Sequence, residues 1–175
     1  GVHILDLTLF LMGHPQPVSA SGSTWDKLGR DPELWNGMGD YDRTKFTVED
    51  MAVGLIKFEN GAAVVLESSF MANLKDDVFE KQLFGTKSGA IVRGWGDEPV
   101  EVFTERDRQL FDMRPRNVPK VGSDHTAEIQ AFVRAAREGL PSPIPGEHGL
   151  VLNAVFDALY KSSVTGREEP IDLKL

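Results

Sequence analysis

Apolar positions along the chain fall into three long stripes and seven shorter runs. Val2, Ile4, Leu5, Leu7, Leu9, Phe10 and Leu11 crowd residues 2–12 and predict a helix apolar on most sides, which requires burial. Gly13 stands where a helix C′ residue belongs, and Pro15 follows. Ile129, Phe132, Val133 and Ala136 recur at i, i+3, i+4, i+7 and predict a helix over 124–138, capped by Ser123 or Asp124. Leu150, Val151, Ala154, Val155, Ala158 and Leu159 predict a third helix over 147–165, ended by Gly166 and Pro170. Pro141 to Gly146 form a rigid connector between the last two.

Elsewhere the period shortens to two. Residues 18–25 read as a strand of small and β-branched residues, and 26–47 as a long polar, Gly-rich loop. Residues 48–58 and 62–70 form a hairpin joined through Glu59-Asn60-Gly61, a turn favoured because Asn and Gly both tolerate positive φ. Val64, Leu66, Ser68 and Phe70 share one face of its second strand; Ala63, Val65, Glu67 and Ser69 share the other. Further strands are predicted at 77–85, 89–94, 99–104 and 109–114. Strands following one another without intervening helices predict an antiparallel sheet, and hence an α+β fold.

Composition narrows the function classes. The length of 175 residues suits a single domain, 1–175, and the hydrophobic and charged fractions are those of a globular protein. The net charge of −8 repels phosphate backbones. The densest basic stretch, Arg106-Asp107-Arg108 with Arg114-Pro115-Arg116, is interrupted by an acid and a proline and reads as a solvated rim, so no nucleic-acid partner is expected. Absence of cysteine excludes disulfides, thiolate catalysis and sulfur-ligated zinc, and fits a reducing cytoplasm. No apolar run approaches the ~20 residues that span a bilayer, so no membrane partner is expected either. The chain opens on Gly1 and enters an apolar stripe at once, which implies that an upstream segment has been removed.

Candidate chemistry is sparse. Gly37-Met38-Gly39 and Gly94-Trp95-Gly96 do not open helices, so neither makes a dinucleotide-binding turn, and no P-loop occurs. The four histidines (His3, His14, His125 and His148) form no His-x-x-x-His pair. His125 and Glu128 stand at i, i+3 near a helix start, where the dipole disfavours a cation, and no metal site is expected. His3 stands three residues before Asp6 in an apolar helix. It reads either as a core histidine satisfied by a hydrogen bond or as a proton-transfer group, and spacing does not choose between them.

Several segments together carry a resemblance. Gly1-Val2-His3-Ile4-Leu5-Asp6 with Leu11-Met12-Gly13 resembles the Gly-x-His-x-x-Asp segment of the Gfo/Idh/MocA oxidoreductases, the glucose–fructose oxidoreductase and inositol dehydrogenase family. Val48-Glu49-Asp50, then Ile56 to Ala62, then Glu67-Ser68-Ser69 resemble that family's central hairpin; Gly85 to Ala90 resembles its next turn. His125 through Val133, Pro143 to Gly149, Ala158 to Ser162 and Thr165-Gly166-Arg167 resemble its C-terminal helices. The resemblance implies a C-terminal domain of the glyceraldehyde-3-phosphate-dehydrogenase-like type, with a large, mostly antiparallel sheet and helices on one face. It implies that NAD or NADP binds a Rossmann domain absent from this chain, that the substrate is a sugar- or polyol-like molecule, and that the open sheet face builds a homo-oligomer. His3 matches the family's catalytic histidine, while the partner aspartate would fall two residues before Gly1 and the lysine of a Glu-Lys-Pro motif is absent. Trp25, Arg30, Phe70 and Asn73 are candidate substrate contacts. The isolated chain is then expected to bind no cofactor and to be inactive alone. The alternative is a non-catalytic dimerisation or scaffold module.

Overall fold

Each apolar run of the sequence becomes one helix or strand in the computed structural model, which describes residues 1–34, 39–94, 99–117 and 124–173. In chain order these are α1 (Val2–Leu11), β1 (Pro17–Trp25), β2 (Met51–Phe58), β3 (Ala63–Ser69), β4 (Glu80–Phe84), β5 (Ser88–Arg93), β6 (Val100–Arg106), β7 (Gln109–Met113), α2 (Asp124–Glu138) and α3 (Gly146–Thr165), and a short strand without an apolar run, β8 (Glu169–Pro170), follows them. The architecture is α+β, as the pattern predicts. Most of Gly37-Met38-Gly39 and Gly94-Trp95-Gly96, and the candidate cap Ser123, lie outside the described residues. Among the described residues, no helix is long and apolar enough to cross a membrane.

The chain divides into two compact units: Gly1–Lys75 with Gly146–Leu175, and Asp76–Pro145. The expected large sheet is accordingly two four-stranded antiparallel sheets, ordered β3-β2-β1-β8 and β4-β5-β6-β7.

In the first unit, β1, β2 and β3 turn Ala20, Ile56, Phe58 and Leu66 onto α3, and Leu5 and Leu9 of α1 complete the core. Leu152, Val155, Leu159 and Ser162 of α3 face inward, so the helical stripe is rotated away from Leu150, which is exposed. Helix α1 departs from expectation as well: Leu5 and Leu9 are buried, whereas Val2, Phe10 and Leu11 stay exposed, so one stripe of the helix packs and the rest does not. Alternation along β3 holds, with Leu66 buried and Val65 exposed. In the β2–β3 turn only Gly61 has positive φ, at +83°; Asn60 keeps a negative φ, and its Oδ1 accepts from Ala62 N at 3.0 Å. The turn is thus wider than the two-residue hairpin that Asn-Gly signals.

On the side of β1 away from β2, the short β8 covers only Ser19 and Ala20. Gly22 N donates to Ser162 Oγ at 2.9 Å and Thr24 N to Ser163 Oγ at 3.1 Å. Two hydroxyls of α3 thereby close a sheet edge that would otherwise present free donors.

In the second unit the β6–β7 turn places Asp107 and Arg108 both at positive φ, the paired left-handed geometry of a tight hairpin. Lys81 is 5% exposed, and its Nζ has no hydrogen-bond acceptor among the described residues. It lies 3.8 Å from the Phe79 ring centroid, and burial lowers its pKa. The apolar stripe of α2, expected to face a core, is largely exposed: Ile129 and Phe132 are each 62% accessible, and Ala135 is the buried apolar side chain of the helix.

Candidate functional site

Antiparallel pairing brings the end of β1, the start of β2 and the end of β3 to one edge of the first unit's sheet. A cavity of about 470 Å³ opens there. Its walls come from Gly1 and Val2 at the start of α1, Thr24, the Glu49–Asp50 pair, Ser68 and Phe70, and Phe156 and Tyr160 of α3. Helical spacing puts Phe156 and Tyr160 one turn apart on the same side of α3.

Asp50 organises this edge from beneath. It is 2% exposed, and its carboxylate accepts from Gly29 N at 2.9 Å, anchoring the long loop after β1. Its backbone N–H donates to Trp25 O, and its carbonyl accepts from Phe70 N and from Ser69 Oγ. One residue therefore ties together the ends of β1 and β3 and the loop. Tyr41 adds a second tether, its Oη donating to Gly29 O at 2.6 Å.

Glu49 and Tyr160 form the polar pair of the cavity. Tyr160 Oη donates to Glu49 Oε1 at 2.6 Å. The hydrogen bond to the carboxylate, then burial, then the negative charge itself hold the phenol in its neutral form and push its pKa up to about 12. Among the described residues, the walls carry two carboxylates and no lysine, arginine or histidine side chain.

His3 is exposed in the first turn of α1, one residue beyond the cavity wall, with no hydrogen-bond partner among the described residues. The reading of His3 as a buried, hydrogen-bonded core histidine is therefore incorrect. Phe70 lines the cavity; Trp25, Arg30 and Asn73 are not among its walls. Trp25 ends β1 on the sheet face turned away from α3, Arg30 pairs with Asp26 at 2.7 Å in the open, and Asn73 is exposed. The structure thus brings together His3's neighbours and Phe70, and adds Glu49, Asp50 and Tyr160. Glu49, Asp50 and Tyr160 stand inside the segments that carry the family resemblance, which is the one signal in the sequence that marks them.

No set of three or more metal-ligating side chains occurs among the described residues, and His125 Nδ1 and Glu128 Oε2 lie 3.8 Å apart in the open. Both sheets are antiparallel throughout, so the described residues contain no strand–glycine turn–helix cradle of the kind that holds a dinucleotide.

The oxidoreductase family of GFO/IDH/MocA proteins, in its C-terminal alpha/beta domain, matches residues 1–173. The chain belongs to this family. The resemblance seen in the motifs therefore holds across nearly the whole chain. D-glucoside 3-dehydrogenase of Escherichia coli (strain K12) is 27% identical over 168 residues, which cover 95% of this chain and 46% of that protein. Levoglucosan dehydrogenase, solved in complex with NADH and L-sorbose, superposes with a TM-score of 0.76 at 17% identity, over 98% of this chain and 49% of the other. An oxidoreductase domain protein from Kribbella flavida gives 0.75 at 22% identity, over 99% and 50%. The chain spans about half the length of these relatives. The two superpositions carry the fold.

Proposed function

We propose that this chain is the substrate-facing and self-associating half of an NAD(P)-dependent oxidoreductase acting on the hydroxyl group of a sugar, polyol or related compound, and that it is inactive alone. Family membership supports the reaction class. The observation that carries the reading within the structure is His3, exposed and without a partner among the described residues, at the start of α1 beside the walls of the cavity. In this reading its imidazole exchanges a proton with the substrate hydroxyl, work suited to a group whose ordinary pKa is near ~6.5. The cofactor binds outside the described residues, since their antiparallel sheets do not fit it. Self-association uses the outer face of the first unit's sheet, where Trp25, Leu55 and Val65 stand exposed.

The deciding experiment is turnover by the full-length polypeptide that contains this chain, supplied with NAD⁺ or NADP⁺ and a panel of sugars and polyols. Reduced nicotinamide should appear, and His3→Ala should lower kcat by about 10²–10⁴-fold. A chain that binds NADH by itself with micromolar affinity in fluorescence titration would overturn the division of labour. The exposed outer face also favours a second reading, a dimerisation module without redox chemistry. Full-length protein that dimerises in sedimentation but turns over no hydroxyl compound would select it.

A further inference from the structure

The end of α1 and the first turn of α3 meet through two imidazoles. His14 and His148 stack with ring centroids 3.8 Å apart and planes 21° from parallel, and the Phe10 ring stands edge-on to His14 at 6.2 Å. Both histidines are half-buried. We propose that this stack is an acid-sensitive clasp: it is closed while at most one ring carries a proton, and it releases α1 from α3 when both do.

The backbone sets the rings in place. α1 ends with Gly13 and His14 both at positive φ, and His14 N donates to Leu9 O at 2.8 Å. Histidine is one of the few non-glycine residues enriched in that left-handed region. Electrostatics then make the stack sensitive to the second proton. Imidazole is the side chain that ordinarily changes charge between pH 5 and 8. One protonated ring over a neutral one is a cation on an aromatic face, which is favourable. Two protonated rings are like charges in contact, and each disfavours the other. A cation at His148 also meets the positive N-terminal end of α3, whereas one at His14 stands at the favourable C-terminal end of α1. Neither ring has a carboxylate partner among the described residues. The titratable side chains on the surrounding elements are His3 and Asp6 of α1, more than two turns from His14; Glu147, Asp157, Tyr160 and Lys161 of α3; and Glu59 of the β2–β3 turn, whose N–H donates to Gln16 O. β1 carries none. Glu147 precedes His148 directly, and consecutive helical residues do not face each other. Once released, a helix as short as the ten residues of α1 does not persist in water. Since α1 also carries His3, its release would displace the candidate proton-transfer group; that consequence, unlike the clasp, rests on the function proposed above.

Hydrogen exchange read by mass spectrometry on the full-length polypeptide that contains this chain tests the clasp. Labelling is done at about pH 7.5 and about pH 5, towards the two ends of the imidazole range, with times scaled for the intrinsic exchange rate. Opening that takes up one extra proton shifts its equilibrium by up to about tenfold per pH unit. The amides of α1 should therefore lose about tenfold or more of their protection at the lower pH, while those of β2 and β3 keep theirs. His148→Phe keeps a flat ring and removes the second charge, so its α1 protection should differ by less than about twofold between the two conditions. His14→Asn accepts the left-handed backbone but removes the stack, and should lower α1 protection at both pH values. Equal α1 protection at both pH values in the wild type, a loss as large in His148→Phe, or a loss shared equally by β2 and β3 would each overturn the proposal. The wild-type comparison decides the matter even if a variant fails to fold. No turnover is read, so failure of the proposed reaction leaves this inference standing.

Discussion

Gly22 and Gly54 face one another across β1 and β2, and Leu159 of α3 rests over both. A methyl group added at Gly54 would lie 2.4 Å from Leu159 Cδ2 and 3.3 Å from Ser21 O. Carbon atoms settle about 3.5–4.0 Å apart, so the leucine end has to retreat by about 1 Å or more. Leu159 is 7% exposed and belongs to the same buried cluster as Ile56, Leu66 and Val155, which leaves it little room. Overpacking of this kind costs ~1–3 kcal/mol. Opposing it, alanine in a strand interior gains ~0.5–1 kcal/mol over glycine. Gly54→Ala should therefore destabilise the protein by about 1 kcal/mol, read by urea unfolding followed by far-ultraviolet circular dichroism. Leu159→Ala alone should cost ~2–5 kcal/mol. In the double variant the new methyl group occupies part of the space the leucine vacates, so the combined loss should fall short of the sum by ~0.5 kcal/mol or more. A stabilising Gly54→Ala, or strict additivity with Leu159→Ala, would refute this account of how α3 seats on the sheet.

Other expectations concern single ionisable groups. Lys81→Met keeps the buried stem and removes an ammonium that has no acceptor among the described residues, so it should raise stability by about 1 kcal/mol after loss of the contact with Phe79. Burial lowers the lysine pKa, so the wild-type penalty is full below that folded-state value and fades as pH climbs toward the ordinary lysine value of 10.5; the methionine variant should lose this slope, and a variant less stable than wild type at neutral pH would contradict the assignment. Tyr160 should ionise near pH 12 in an ultraviolet titration, while Glu49→Gln should bring it down toward 10. Because the raised pKa belongs to the folded state, the contribution of this pair to stability is whole below pH 10 and lost as pH rises through about 12. A Tyr160 transition unmoved by Glu49→Gln would show that the carboxylate is not its cause.

Much of the fold was legible because hydrophobic periodicity is a local property. All three helices and seven of the strands follow from i, i+3, i+4 or alternating spacing, and α2 spans 124–138 as the pattern requires. The two-residue β8 carries no such pattern. It exists because Ser19 pairs with Pro170 and Ala20 with Glu169, while Lys161 and Thr165 hold the Glu169 carboxylate.

The candidate site divides the same way. The sequence by itself determined the α+β class and the order of three helices and seven strands, since these rest on residue types at short separations, while the family and the candidate standing of His3 came from a resemblance spread over many segments. Only the tertiary structure decided that His3 is exposed and that α1 and α2 bury so little of their apolar surface, because burial depends on what lies opposite. It alone joined Tyr160 to Glu49, 111 residues away. Neither residue has a local pattern that announces the other: a hydrogen bond between a helix and a strand end is a consequence of where the chain folds, and no periodicity along the chain encodes it.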